Sequence, residues 1–395
     1  MNMIYYQRLQ SATNMFRNGT INLLNLHTGL QRFSNNILDV FGAVFLLSIG
    51  LSFPMVALTW AASCVLRALI RPLSVLLAEK IGLKCALIVG TITGSGLFLV
   101  LSKVTGINEW LCFYIFYRAL NDIFYWLPYH SYYAAAGDEQ DRGKQLSIRL
   151  GLVNILKIVA PLLGGLLVNQ LGFWALYVSA TMVMLISAIP LFFARDASPG
   201  QTINWKEALS LIDKRGFVMK IGEGIVYMHS FVWTIVLFYL LDDYVAFGGL
   251  ITLELLITTI LFGILGSFVD KGGGRKIMLA GIIIVAAVIV MRSFLVTTVP
   301  QIIISNILVA LGVTFYSMSF EVGFYNLAKR AQNTLWFNFF GELGWDIGAM
   351  LSLSLSAGLY ATGVPLRFVM IFALVGLFII YKVLSRFYVQ PNLTI

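Results

Sequence analysis

The sequence predicts an all-α polytopic membrane protein with twelve transmembrane helices in two pseudo-symmetric six-helix bundles. Three observations predict it. The 395 residues are 59% hydrophobic and only 11% charged, against roughly 25% charge in a soluble chain, so polar surface cannot cover a molecule of this size. Twelve apolar runs each approach the ~20 residues needed to cross a bilayer. A loop pattern also recurs at a fixed offset in the two halves. Together these exclude a soluble enzyme and a disordered scaffold. The runs are too long, and lack the period-two alternation, for a β-barrel.

The runs lie at 26–50 (span 1), 53–77 (span 2), 83–102 (span 3), 108–134 (span 4), 146–168 (span 5) and 173–193 (span 6). The second half follows with 218–241 (span 7), 247–269 (span 8), 276–297 (span 9), 301–327 (span 10), 333–360 (span 11) and 364–387 (span 12). Short connections such as Gly50-Leu51-Ser52 and Thr105-Gly106 carry turn residues. The polar stretch 194–216 divides the chain, giving an N-terminal bundle (1–193), a linker and a C-terminal bundle (217–395). In the linker, Ile203 to Asp213 puts Trp205, Leu209 and Ile212 on one side, as in a helix lying on the membrane surface.

The net charge of +9 is explained by orientation and does not call for a nucleic-acid partner. With both termini in the cytoplasm of an inner-membrane protein, eighteen Lys and Arg fall on inside segments. Only Lys103 and Arg367 fall outside, as the positive-inside rule requires. Lys220 counts here among the inside bases. Cys64, Cys85 and Cys112 have no metal-ligand spacing and read as structural thiols. Met1 to Thr20 is polar and lacks the apolar core of a signal peptide.

The halves resemble each other. Glu79-Lys80-Ile81-Gly82-Leu83-Lys84 follows span 2, and Asp270-Lys271-Gly272-Gly273-Gly274-Arg275-Lys276 follows span 8. The acids are offset by 270 − 79 = 191, which also aligns Phe124-Tyr125 with Phe315-Tyr316 and His130 with Glu321. Parallel six-helix repeats of this kind recur in transporters.

On these residues the chain resembles the major facilitator superfamily. That family carries Gly, three residues, Asp, Arg/Lys, any, Gly, Arg, Arg/Lys between spans 2 and 3. The second-half copy is similar: Gly266, Asp270, Lys271, Gly273, Arg275 and Lys276, with one extra glycine. The first-half copy keeps Lys80, Gly82 and Lys84, with Glu79 for Asp, Leu83 for Arg and Val75 for Gly. Span 4 has the family's Arg at Arg118, with Asn121 and Asp122 in place of its Gln and Gly. Span 5 has Ala160-Pro161-Leu162-Leu163-Gly164-Gly165, similar to the Gly-Pro-x-x-Gly-Gly of proton antiporters. The resemblance implies a monomeric secondary transporter that works by alternating access and carries a small organic solute, with the loops as a gate and spans 1, 4, 7 and 10 lining the path. It implies proton coupling and favours export, with uptake or passive facilitation as the alternative. No cofactor, metal or enzymatic activity is expected.

Charges inside the spans are costly without a partner or water, so they mark candidate sites. The acids are Asp39, Asp122, Glu223, Glu254, Glu321, Glu342 and Asp346; the bases are Arg32, Arg67, Arg71, Arg118, Arg149, Lys157 and Arg292. Asp39, near the middle of span 1 and preceded by Asn35 and Asn36, reads as a proton site or an ion-paired acid. Arg118 and Asp122 sit four apart on one helical face, either as a self-neutralising pair or as a cavity-facing one. Glu342 and Asp346 share a face as a second proton site or as two separately paired acids. Glu321 reads as a proton site or gate. The path candidates are Asn35, Asn36, Arg118, Tyr125, Trp126, Glu223, Phe315 and Tyr316, because rings with polar tips suit an amphipathic solute or simple packing.

Overall fold

The computed structural model describes residues 18–136, 142–196, 205–210, 212–268 and 274–389, and every regular element among them is helical. Span 1 is Gly19–Ser48, started by the Asn18 side chain accepting from the Ile21 N–H. Span 2 is Phe53–Ile70 followed by Pro72–Ile81; Pro72 lacks the N–H that would continue the ladder. Span 3 is Leu83–Leu101 and span 4 Glu109–Ala136. Spans 5 and 6 run together as Arg142–Phe193, broken at Gly172 with φ 79°. That left-handed φ suits glycine, so the stretch forms two rods, 142–171 and 173–193.

After the short helix Trp205–Ser210, span 7 is Lys214–Leu241, capped by Asp213 accepting from the Arg215 and Gly216 N–H groups. Spans 8 to 11 are Tyr244–Phe268, Gly274–Phe294, Val299–Arg330 and Thr334–Ala361. Span 12 is Leu366–Val369, a 3-10 turn Met370–Phe372 and Ala373–Val389. Twelve passes bring both described ends to one face, the terminal face; the other is the far face.

Eight described helices are long and apolar enough to cross a membrane, and spans 1, 4 and 11 are not among them. Those three carry Asp39, Arg118, Asp122 and Asp346. Helices that turn polar residues inward lose apolarity without losing their place in the bilayer. Span 1 also begins earlier than its apolar run, because its polar residues there are buried: Asn25 is buried and His27 Nδ1 lies 2.7 Å from the Ser187 carbonyl.

Within the first bundle span 1 packs on spans 5 and 6, and span 4 on spans 2 and 3; within the second, span 7 packs on 11 and 12, and span 10 on 8 and 9. The repeat is visible in this packing. A Cβ on Gly90 of span 3 would meet the Phe124 and Tyr125 backbone. A Cβ on Gly281 of span 9 would meet the Tyr316 backbone and Phe315. The glycines are 281 − 90 = 191 residues apart, the offset of the sequence repeat. The bundles meet along spans 2 and 11 and along spans 5 and 8. Toward the far face the seam holds Phe41 on Phe247 (5.7 Å between ring centres), Phe53 on Tyr360 (5.1 Å) and Trp60 on Phe231 (5.4 Å).

The linker helix differs from the surface helix expected. Its Ala208 is buried with Val75, Leu127, Trp336, Phe339 and Phe340, where spans 2, 4 and 11 meet, and Ile212 packs on the same cluster. Leu209 is exposed. The linker thus contacts both bundles, with Leu209 exposed beside Lys206, Glu207 and Ser210.

Candidate functional site

Most of the intramembrane charges gather between the bundles, and their pairing is set by neighbouring helices. Arg67 of span 2 pairs through Nη1 with Asp122 of span 4, and its Nη2 lies 2.6 Å from Asp346 Oδ1 of span 11. Arg71, one turn on, pairs with the other oxygen of Asp346. Two cations and two carboxylates thus form a neutral tetrad tying span 4 to span 2 and span 2 across to span 11. All but Asp122 are less than a tenth exposed. Arg67 also donates to Cys64 Sγ at 3.2 Å and lies 5.1 Å from the Trp345 ring centre.

The expected Arg118–Asp122 pairing within span 4 is corrected by this geometry. Asp122 is taken by Arg67, while the Arg118 guanidinium lies over the Trp60 ring at 4.7 Å. Four residues' spacing aligns two side chains on a helix, but a closer partner from another helix wins. Asp346 likewise has its own partners, and so does Glu342, which lies 3.8 Å from Lys220 Nζ. The two acids are therefore separately paired.

Lys220 is a charged residue of this cluster that sequence reading placed with the loop bases instead. It lies within span 7, half-buried, with Nζ 2.8 Å from Glu223 Oε2 and over the Phe324 ring at 4.9 Å. Glu321, exposed on span 10, sits in its field, and Tyr316 lies close to both Glu223 and Lys220. The signal was present: Lys220 and Glu223 are three apart, a helical pair.

Asp39 is exposed in mid-span between buried Leu38 and Val40. It interacts electrostatically with Arg118, Lys157, Arg32 and Asp122, but no hydrogen bond or ion pair holds it among the described residues. Arg32 lies 4.0 Å over Trp126. Asn36 is buried and donates to the Lys157 carbonyl at 2.9 Å, cross-linking spans 1 and 5. Asn35 keeps a buried Oδ1 without a partner among the described residues. Tyr125 is fully buried in a cluster with Ile21, Leu24 and Leu87 inside the first bundle, as the packing alternative expects. Phe315 supports Gly281 of span 9.

The loop motifs divide. Gly82 has φ 83°, and the Lys84 N–H and ammonium bond Asp196 Oδ1 (3.3 Å) and the Ala194 carbonyl (3.2 Å) at the end of span 6. Lys84 thereby ties the first-half loop within its own bundle, while Glu79 is half-buried and Lys80 exposed. Asp270, Lys271 and Gly273 lie outside the described residues; Gly266 is in span 8, and Arg275 and Lys276 are exposed at the start of span 9. The span 5 motif is a packing seam. Cβ atoms on Gly165 and Gly164 would meet the Tyr244 carbonyl and Phe41, and the Pro161 carbonyl abuts Gly248.

A second polar network lies inside the C-terminal bundle. Arg292 of span 9 bonds Asn306 Oδ1 (2.7 Å), Ser305 Oγ (3.2 Å) and His229 Nε2 (3.1 Å), and stacks on Trp233 at 4.0 Å. Guanidinium only donates, so His229 accepts through Nε2. Trp233 Nε1 donates to the same Asn306 oxygen at 3.0 Å. Asn306→Ala leaves two buried donors without their acceptor and is expected to cost about 1–3 kcal/mol. Thermal unfolding in detergent checks this, and an unchanged midpoint refutes it.

The sequence matches the profile of the Major Facilitator Superfamily over residues 26–320. No curated protein sequence matches it. The fold is similar to crystal structures of transporters. PepTSo, a POT family transporter, has a TM-score of 0.74 at 11% identity, with 95% of this chain and 99% of that chain covered. The human organic anion transporter MFSD10 (TETRAN) has 0.65 at 11%, with 93% and 99% covered. The nucleoside transporter NupG has 0.66 at 13%, again with 93% and 99% covered. At such identities the likeness concerns the fold, while the profile spans well over half of the sequence: the chain belongs to the major facilitator superfamily, a family of secondary transporters.

Proposed function

We propose that this transporter moves a small organic solute by alternating access, coupled to protons through Asp39. One observation carries the reading. Among the acids between the bundles, Asp122, Asp346, Glu223 and Glu342 each have a cation within 4 Å, whereas Asp39 has none among the described residues and stands exposed in mid-span. A carboxyl that is accessible and not locked to one partner can exchange a proton with whichever side it faces. The surplus of basic residues supports a cytoplasmic terminal face.

The test is a solute screen on purified protein in liposomes, with an imposed pH gradient and a pH-sensitive dye inside. For a responding solute, Asp39→Asn should keep solute exchange but lose gradient-driven accumulation. Retained accumulation in a well-folded Asp39→Asn protein overturns the assignment.

A further inference from the structure

The walls around Asp39 carry more positive charge than they neutralise. Arg32, Asn35 and Asp39 share one face of span 1 at i, i+3 and i+7, and Tyr114, Arg118 and Asp122 share one face of span 4. Lys157 reaches the same space from span 5 and interacts with both Asp39 and Arg32. Asp122 is taken by Arg67. Three cations therefore remain, Arg32, Arg118 and Lys157, none in an ion pair among the described residues, against one carboxylate. Arg118 is 8% exposed and interacts with the buried Tyr114 hydroxyl, while its Nε and the Asn35 Oδ1 lack partners among the described residues. The opposite wall is aromatic: Tyr227 of span 7 interacts with Arg118 and Asp39, and its ring lies 5.2 Å from Trp345 and 6.2 Å from Phe231.

A double positive surplus inside a membrane protein is stabilised by an anion. We propose that the substrate is an amphipathic organic anion, its charged group held by Arg118 and Lys157 and its flat apolar body against Tyr227 and Trp345, and that Asp39 is protonated while the anion is bound. This rests on the proton-coupled transport proposed above. The empty site with ionised Asp39 and the loaded site with neutral Asp39 carry the same charge. The anion alone or the proton alone changes that charge by one, so the two travel together in one direction.

The experiment measures thermal stabilisation of the detergent-solubilised protein by benzoate, phenylacetate, indole-3-acetate and naphthalene-2-sulfonate, each beside its matched amide and amine. At least one acid should raise the melting temperature, and its amide and amine should not. Its affinity should weaken by at least tenfold in Arg118→Gln and Lys157→Gln, and less in Arg118→Lys. In the unsubstituted protein, affinity should fall about tenfold per pH unit on the alkaline side, as for uptake of one proton. Asp39→Asn should remove that dependence. Equal stabilisation by amides or amines, no stabilisation by any acid, or undiminished acid affinity in both glutamine variants overturns the proposal. Should the glutamine variants fail to fold, the acid–amide–amine series and Asp39→Asn decide it. Acid binding without gradient-driven movement defeats the transport reading alone. Gradient-driven movement of a neutral or cationic solute, with no acid bound, defeats the anion site alone.

Discussion

Asp346→Ala is expected to destabilise the protein by about 3–5 kcal/mol, the range for removing one partner of a buried ion pair. Asp346 is 1% exposed and answers two guanidinium groups, Arg67 and Arg71, of which Arg71 is 2% exposed. Truncation leaves Arg71 with no direct ion pair, only the longer-range field of Glu342, and leaves Arg67 paired with Asp122 alone. The melting temperature and the monodisperse yield in detergent should both fall sharply. The double variant Arg71→Met/Asp346→Asn restores the balance by leaving one cation, Arg67, with one carboxylate, Asp122. It should recover most of the lost stability, since an apolar side chain in place of a buried charge is often neutral or better. A double variant no more stable than the single one refutes the tetrad as the cause. The double variant should also loosen the tie between spans 2 and 11, because the contact it weakens crosses between the bundles.

Two glycine substitutions of identical chemistry should have different consequences. A Cβ on Gly348 of span 11 would stand 2.1 Å from the Ile221 carbonyl of span 7, inside one bundle. A Cβ on Gly248 of span 8 would stand 2.2 Å from the Pro161 carbonyl of span 5, across the bundle seam. Both neighbours are backbone and cannot turn aside, so the helices must separate, at a cost of about 1–3 kcal/mol or more. Gly348→Ala penalises every state of the transporter and should lower yield and melting temperature. Gly248→Ala penalises only states in which spans 5 and 8 are closed, so it should fold and shift the balance toward opening at the far face by roughly 5–150-fold. Thiol labelling of Phe41→Cys, in a variant with Cys64, Cys85 and Cys112 replaced by serine, reads this shift, since Phe41 is buried against Phe247 at the seam. Unchanged labelling in Gly248→Ala would show that the contact does not close the seam.

The number, order and approximate ends of the twelve spans were legible in the amino-acid sequence, and so was the 191-residue repeat that later reappears in the Gly90 and Gly281 contacts. A bilayer removes water from the backbone, so each crossing must be a helix of nearly fixed length, and that requirement is written locally in apolar runs. The charges that matter were legible for the same reason, since an ionised group within such a run stands out. Their partners were not. Arg118 and Asp122 share a helical face, yet Arg67 takes the acid, and Lys220 counts with a loop's bases until span 7 places it between Glu223 and Glu342. Sequence spacing tells which residues share a face of one helix. Which helix stands opposite, and at what rotation, depends on seams such as Gly224 and Gly348 between spans 7 and 11 and Gly165 and Gly248 between spans 5 and 8. Coulomb attraction falls with distance and desolvation penalises every unpaired charge, so the pairs that form are those the packed helices bring within reach. The sequence by itself therefore determined a twelve-span transporter fold and the stock of buried charges, and tertiary packing alone decided which of them are spent on holding the bundles together and which stand open around Asp39.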